Sequence, residues 1–527
     1  MTGARAERAQ ELIRQGFDAL GEGRPRDAAD LCRRAIALDP ASPGAHFLVG
    51  LVATDLDDRK TAIRAFGSVT KLQPENAAAF AQLARLFMRM GQPARAENAL
   101  AAAIALKPAD APVVDLVGVV HSMLGDQKEA ARWYRRAVDL APENEEYRIN
   151  LATAEMFLGE NDGATRTLAP LIARPAPPAQ AEWLLSSIKR QSDVKRPAEL
   201  LERAKISEPR AAAFLAYAAG KEFEDCGAWA KAFEAFDLGA RAKRSSVNYD
   251  ERADEDRFAA MTAVFDHAYA QMKRPGCDDP APVFVVGQPR TGTTLIERII
   301  TSHSAVRSAG ELQQFRLSLG RLAQAAEDRA HAPAGAARAW ARIEPEALGR
   351  EYLRASAPMR PHSPRFVDKL PGNYFYVPLI LAALPNAKIV HVTRDPMDAC
   401  FASFKQLFAD AYPHSYDQEE MARHYGRYHA LMKYWRDLYP GAFLDISYEE
   451  TVGDLDTNAR RLIDFLELPW EDQCLRYYEQ DSAVATASAV QVREKPHARS
   501  VGRWRRYENE LVPMRRALAA AGVIAMG

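Results

Sequence analysis

The chain has 527 residues, which at roughly 100–200 residues per domain predicts about three domains rather than one core. Its 69 Lys and Arg against 70 Asp and Glu leave a formal net charge of -1, so no global field draws it to nucleic acid or an anionic membrane, although a local basic site stays open. A composition 48% hydrophobic and 26% charged is that of a soluble globular protein, and the longest apolar stretch, near Val377 to Leu384, is far short of the ~20 residues a transmembrane helix needs. The first residues, Met1 to Phe17, carry Arg5, Glu7, Arg8, Glu11 and Arg14 with no continuous apolar core. That does not fit a secretory signal, and a cytoplasmic location is the expectation. Cys32, Cys226, Cys277, Cys400 and Cys474 are scattered and odd in number, which argues against a zinc site or a disulfide framework and reads as reduced thiols.

The first half repeats. Pro40, Pro74, Pro108 and Pro142 stand 34 residues apart, each two residues after Leu38, Leu72, Leu106 or Leu140. The same interval separates Ala28, Ala62, Ala96, Ala130 and Ala164, and relates Gly23, Gly91, Gly125 and Gly159, with Asp57 in the remaining glycine slot. Glycine permits a left-handed turn between two apolar-periodic helices, the alanine lets their backbones approach, and proline stops the second helix. Residues 7–170 in this pattern resemble the tetratricopeptide repeat family, whose helical hairpins stack into a superhelix. The resemblance implies a concave groove for a protein or peptide. Two uses stand: recruiting an acceptor, or supporting a homodimer or packing on a neighbour. Gly227 and Ala232 repeat the five-residue offset, so residues 171–275 are expected to hold further helical hairpins and a connector, with an irregular turn at 174–180.

The second half changes period. VFVV (283–286) reads as a buried parallel strand and leads into GQPRTGTTLIERIITSH. A strand passing through Gly287 and Gly292 into a helix aims backbone N–H groups and the positive helix end at one anion. The phosphate loop of nucleoside triphosphatases needs a lysine after its last glycine, and here Thr293 stands there. The ligand is therefore expected to be a nucleotide without a triphosphate tail, with Arg290 reaching a charge beyond the 5′-phosphate.

PRTGTT (289–294) resembles the 5′-phosphosulfate loop of sulfotransferases, and the order of later motifs over 281–510 is similar to the branch that includes protein-tyrosine sulfotransferases. The resemblance implies 3′-phosphoadenosine 5′-phosphosulfate as co-substrate, held by Arg290, Thr291, Gly292, Thr293 and Thr294, with no metal. AKIVHVTRDPMDACFASFKQLF implies Arg394 at the 3′-phosphate; the family's helix serine falls at Ala402, and Ser403 next to it is carried over in its place. Tyr448 matches a nucleotide-contacting tyrosine, and Ser488 and Arg503 match the late loop closing over the 3′-phosphate; the bland reading of that basic cluster is a solvated helix face. Lys369 matches the lysine that serves the leaving oxygen, assisted by Arg290. Glu311, in RSAGEL, matches the glutamate base, which works provided partial burial raises its pKa. Helix capping is the bland alternative for Glu311, and His303 is a competing base. Asp368 and Asn373 read as orienting the strand end, and Asp395 and Glu449 as helix-start or loop carboxylates.

The expected architecture is multidomain: an all-α tetratricopeptide superhelix, then a three-layer α/β, P-loop-like sulfotransferase domain. Its parallel sheet is expected from runs near 283–286, 305–309, 365–368, 388–393 and 442–447, with the nucleotide across the strand C-terminal ends. Loops 316–364 and 409–424 are expected to shape the acceptor pocket. The leading activity is sulfuryl transfer to a hydroxyl or amine, with protein tyrosine as one acceptor. The alternatives are an interaction scaffold with a catalytically silent nucleotide domain and, against the absent lysine, a nucleotide kinase.

Overall fold

The computed structural model describes residues 2–325, 333–360, 362–409, 411–486 and 489–525. The chain divides into two compact units, Met1–Ala154 and Glu155–Gly527. In the first, helices Thr2–Gly21 and Pro25–Leu38, Pro43–Asp55 and Arg59–Leu72, Ala77–Arg89 and Pro93–Ala105, and Ala111–Met123 and Gln127–Leu140 pack as successive pairs. The turns inside the pairs are left-handed: φ is 72° at Gly23, 66° at Gly91 and 90° at Gly125, and Asp57 adopts 55° in the remaining slot. Aspartate tolerates that region better than most side chains, so the repeat survives the exchange. Ala28, Ala62, Ala96 and Ala130 have no exposed surface. Several helices start on a side-chain cap: Ser42, Asp58, Asn76 and Asp126 each accept the N–H three residues on.

A second packing device recurs at an offset of sixteen residues. The ring of Phe66 lies 2.6 Å from where a Cβ at Gly50 would stand, and that of Tyr134 lies 2.7 Å from the position on Gly118. One helix of the pair offers a glycine and the other an aromatic ring that fills the notch. In the second unit, Gly220 and Phe236 repeat the arrangement at 2.5 Å between helices Pro209–Asp225 and Trp229–Arg244. The left-handed turn at Gly227 and the fully buried Ala232 match the solenoid's turn and alanine.

Beyond that hairpin the second unit builds a five-stranded parallel sheet from β1 (Pro282–Gly287), β2 (Val306–Ser308), β3 (Arg365–Asp368), β4 (Lys388–Thr393) and β5 (Leu444–Ser447), in the order β2-β3-β1-β4-β5. Each observed strand lies within two residues of the expected run. Every β1 residue is buried. Val283 and Val285 face a core with Ile296, Ile299 and Ile300 of helix Thr293–Thr301 and Leu462 of helix Leu455–Phe465. Phe284 and Val286 face an opposite core with Phe315, Tyr352, Ile380 and Trp435. Two apolar faces on one strand require helices on both sides, hence three layers. The segment 316–364, expected as loop, is largely helical: Gln314–Ala325, Pro333–Ala341 and Pro345–Ser356 pack onto this core, while 326–332 and 361 lie outside the described residues. Among the described residues no helix is long and apolar enough to cross a membrane.

At the end of β3, Asp368 has no exposed surface and accepts the Tyr352 hydroxyl at 2.9 Å. Burial pushes its carboxyl up to about 8, so it keeps its proton at neutral pH. An acid whose folded pKa is raised stabilises most below its unfolded value and loses that contribution as pH climbs through the folded one. The stability of the wild type relative to Asp368→Asn is therefore expected to fall between pH 4 and pH 8, by about 1.4 kcal/mol per pH unit at most, in urea titrations of the two proteins. In the solenoid, Gly118→Val should drive a side chain into the Tyr134 ring and cost about 1–3 kcal/mol. Thermal denaturation is expected to show a lower midpoint, recovered in part by adding Tyr134→Leu.

Candidate functional site

The loop between β1 and helix Thr293–Thr301 is held from behind. A Cβ at Gly287 would sit 2.6 Å from the Val392 carbonyl oxygen, so only glycine lets the loop leave β1 this close to β4. The next three carbonyls are each taken by a side chain. Thr291 Oγ1 donates to Gln288 O at 2.7 Å, Ser403 Oγ to Pro289 O at 3.1 Å, and Arg394 Nη1 to Arg290 O at 2.8 Å. The helix that follows begins at Gly292, in a left-handed conformation and without a side-chain cap. Its first-turn N–H groups and helix dipole are thus left for an anion. Beneath the loop lie two chains of polar groups built on the buried His391 and His424. His391 joins Asp445 and Tyr428 at 2.5 Å each, and His424 Nδ1 meets Asp254 at 2.8 Å with Tyr374 at 3.5 Å from its Nε2. Tyr374 in turn receives the Gln288 amide at 3.5 Å.

In front of the loop is a cavity of about 210 Å³ lined by six Lys or Arg side chains and three carboxylates. Arg290, Arg394, Lys405 and Arg503 supply most of its charge, and Tyr448 closes one wall with its ring 4.8 Å from the Arg394 guanidinium carbon. Glycine is required at 292 for a second reason, since a Cβ there would stand 2.6 Å from the Tyr448 ring. Burial, with the Arg394 charge nearby, brings Arg290 down to about 10. Burial likewise brings Lys405 down to about 8. Asp398 fastens the late segment by accepting the N–H groups of Gly502 at 2.5 Å and Trp504 at 3.1 Å. The Nε atoms of Arg394 and Arg503 are buried without a hydrogen-bond partner. Both side chains also line the cavity, and two guanidinium groups at one cavity suit an anionic ligand.

Of the residues singled out in the sequence, Arg290, Gly292, Thr294, Arg394, Tyr448 and Arg503 line this cavity. Thr291 and Thr293 are buried in the loop and the first helical turn. Ser403 is displaced from its expected place: it has no exposed surface and its hydroxyl is spent on Pro289 O, while Ala402 lines the cavity. One helical step of about 100° separates the two directions. Ser488 lies outside the described residues. Glu311 and Lys369 form a separate ion pair at the C-terminal ends of β2 and β3, where the Lys369 N–H also donates to Gly310 O at 3.0 Å. The lysine is 1% exposed and the glutamate 41%, so only the carboxylate faces solvent. His303 sits elsewhere, with Nε2 2.8 Å from Pro469 O and Nδ1 accepting the Ala305 N–H. Asp395 caps helix Pro396–Phe404 and Glu449 accepts the Asp395 N–H at 3.0 Å. Reading the sequence missed Lys221, Glu224, Asp398, Lys405 and Lys495, all on the cavity wall. Lys405 stands two residues after Ser403, and its proximity to Arg394 was the one available signal.

Residues 282–472 match the model of the sulfotransferase family, and residues 13–77 and 53–118 match tetratricopeptide repeat models. An uncharacterized protein of Aquifex aeolicus is 34% identical over 291 residues, 54% of this chain and 38% of that protein. A "Putative protein-tyrosine sulfotransferase" of Caenorhabditis briggsae is 23% identical over 227 residues, covering 42% of this chain and 80% of that protein. The chain thus spans well under half the length of the Aquifex relative. Among solved structures, the sulfotransferase domain from the curacin biosynthetic pathway aligns at 16% identity and a TM-score of 0.33, over 48% of this chain and 99% of that one. A thermophilic TPR protein of Thermus thermophilus aligns at 20% identity and 0.31, over 34% and 98%. The chain carries tetratricopeptide repeats in its N-terminal part and a sulfotransferase-family domain in its C-terminal part.

Proposed function

We propose that this protein moves a sulfuryl group from 3′-phosphoadenosine 5′-phosphosulfate to a hydroxyl or amine acceptor, with tyrosine in a protein as the leading acceptor and the solenoid as its recruiting surface. The observation that carries the reading is the cavity itself. Its uncapped helix start and Arg290 serve one anionic end, and the guanidinium groups of Arg394 and Arg503, which line the same cavity, serve another. A nucleotide with phosphates on both the 5′ and 3′ sides has that pair of ends, whereas a triphosphate is a single chain of charge. The five cysteines, none of them disulfide-bonded, suit the reducing cytoplasm.

In this reading Glu311 takes the proton of the acceptor hydroxyl as the acceptor oxygen bonds to sulfur. The bond from sulfur to the 5′-phosphate oxygen breaks, leaving adenosine 3′,5′-bisphosphate and the sulfated acceptor. Lys369 is assigned to stabilise the charge that collects on the departing oxygen, and Arg290, on the cavity wall, to assist it. The ion pair couples the two roles: once Glu311 is protonated, Lys369 loses its counter-ion and its charge turns to the leaving oxygen. Sulfuryl transfer runs through a loose, charge-spread group, so by analogy with phosphoryl transfer positioning and charge stabilisation carry most of the work.

A second reading, a scaffold whose nucleotide domain is silent, draws on the inward-turned Ser403. Incubation with radiolabelled donor and a peptide library separates them: labelled tyrosine peptide is expected, and intact donor binding with no labelled acceptor of any class would favour the scaffold. Glu311→Ala is expected to abolish transfer with nucleotide affinity nearly unchanged. Arg394→Ala should weaken donor binding by roughly 2–5 kcal/mol, the scale of a desolvated charge contact, as read by calorimetry. Equal losses of affinity in both variants would contradict these roles.

A further inference from the structure

We infer that the helical hairpin preceding the sheet is a working wall of the nucleotide site, and that Glu224 on its first helix is the positioning residue that holds Lys405 and Arg503 together for a ribose phosphate dianion. The inference rests on reading the cavity as the donor site. Glu224 is 9% exposed and lines the cavity. Its Oε1 accepts Lys405 Nζ at 2.6 Å and the Tyr507 hydroxyl at 2.7 Å, and its Oε2 accepts Arg503 Nη2 at 3.0 Å. These partners lie 181, 283 and 279 residues away along the chain, and the one carboxylate binds all three.

The aromatic contacts fix the hairpin as wall rather than neighbour. Tyr217 donates to Phe404 O at 2.9 Å, Phe233 stacks on Phe404 with centroids 6.2 Å apart, and Trp229 meets Tyr507 edge-on at 5.9 Å. Phe236, the ring seated on Gly220, lines the cavity as well. Lys405 and Arg503 are like charges brought together in a partly buried place, which is unfavourable without a shared counter-ion. Glu224 supplies one negative charge against two positive ones. With Arg394 counted in, these three cations exceed the Glu224 carboxylate, and the whole lining carries six Lys or Arg against three carboxylates, an excess suited to a phosphate monoester dianion.

Burial raises the Glu224 carboxyl, but Lys405 and Arg503 outweigh it and the net direction is down, so the carboxylate stays ionised. Lys405, at about 8, depends on it. From the elements around it, Lys405 shares the cavity with Glu224 and Lys221 of the hairpin, Arg290 of the loop, Arg394 and Asp398 beyond β4, and Glu494, Lys495, His497 and Arg503 of the late segment. Removing the Glu224 charge lowers the Lys405 pKa further and lets the two cations separate.

The test uses the full-length chain and calorimetry with two probes, adenosine 3′,5′-bisphosphate and adenosine 5′-monophosphate. The wild type is expected to prefer the bisphosphate, and Glu224→Gln to reduce that preference at least tenfold with circular dichroism unchanged. The wild-type preference should decline above about pH 8, and Lys405→Arg, whose charge persists, should carry it to pH 9. An undiminished preference in Glu224→Gln overturns the inference and leaves the donor reading intact. No preference in the wild type overturns both. Should Glu224→Gln fail to fold, an undiminished preference in Lys405→Gln, which removes the cation Glu224 holds, overturns the inference by itself.

Discussion

Six lysine and arginine side chains share one partly buried cavity with three carboxylates, and that imbalance is the constraint on which the rest of the site depends. Like charges out of water repel and resist ionisation. Burial first, and neighbouring like charges second, bring Arg290 down to about 10 and Lys405 down to about 8. The fold meets it with fixed counter-charges at Glu224 and Asp398 and leaves the remainder to a ligand. The same arginine that faces the cavity also ties back the loop, since Arg394 donates to Arg290 O and to Ser500 O at 2.6 Å. Binding an anion there would act on the cradle and on the late segment through one guanidinium.

The parts legible in the sequence are those governed by short-range periodicity. The 34-residue interval marks turns and close-packed alanines because each repeat solves the same local packing problem. The apolar runs of the sheet are legible because β1 and β4 are covered on both faces. The cradle loop follows from Gly287 and Gly292, where a side chain has no room. Three matters were not legible. The direction of Ser403 depends on helix phase, in which one residue decides between cavity and core. The Glu224 network joins segments far apart in the chain, and no spacing encodes it. The 316–364 segment lacks the clear repeat of the solenoid, so its helices, which bury Phe315 and Tyr352 against β1, read as loop.

The glycine–aromatic notch recurs in both units. Gly50 with Phe66 and Gly118 with Tyr134 pack the solenoid, and Gly220 with Phe236 packs the hairpin beside the sheet. A device of the repeats thus appears inside the second unit, and there its aromatic ring borders the cavity. The boundary at Ala154 and Glu155 places this hairpin with the sheet, consistent with a wall of the site being built from repeat-like material. The ion pair of Glu311 and Lys369 stands at the ends of β2 and β3, on the same C-terminal edge from which the cradle leaves β1. The cradle loop and the ion pair proposed to serve transfer are thereby set by one sheet.

The ligand proposed for the cavity is an adenine nucleotide with two separate anionic ends. Calorimetric titration of the full-length protein with adenosine 3′,5′-bisphosphate and, in parallel, with ATP and magnesium tests that most directly. Saturable binding of the bisphosphate at a concentration where ATP gives no heat is the predicted result; tight ATP binding with none for the bisphosphate would contradict it.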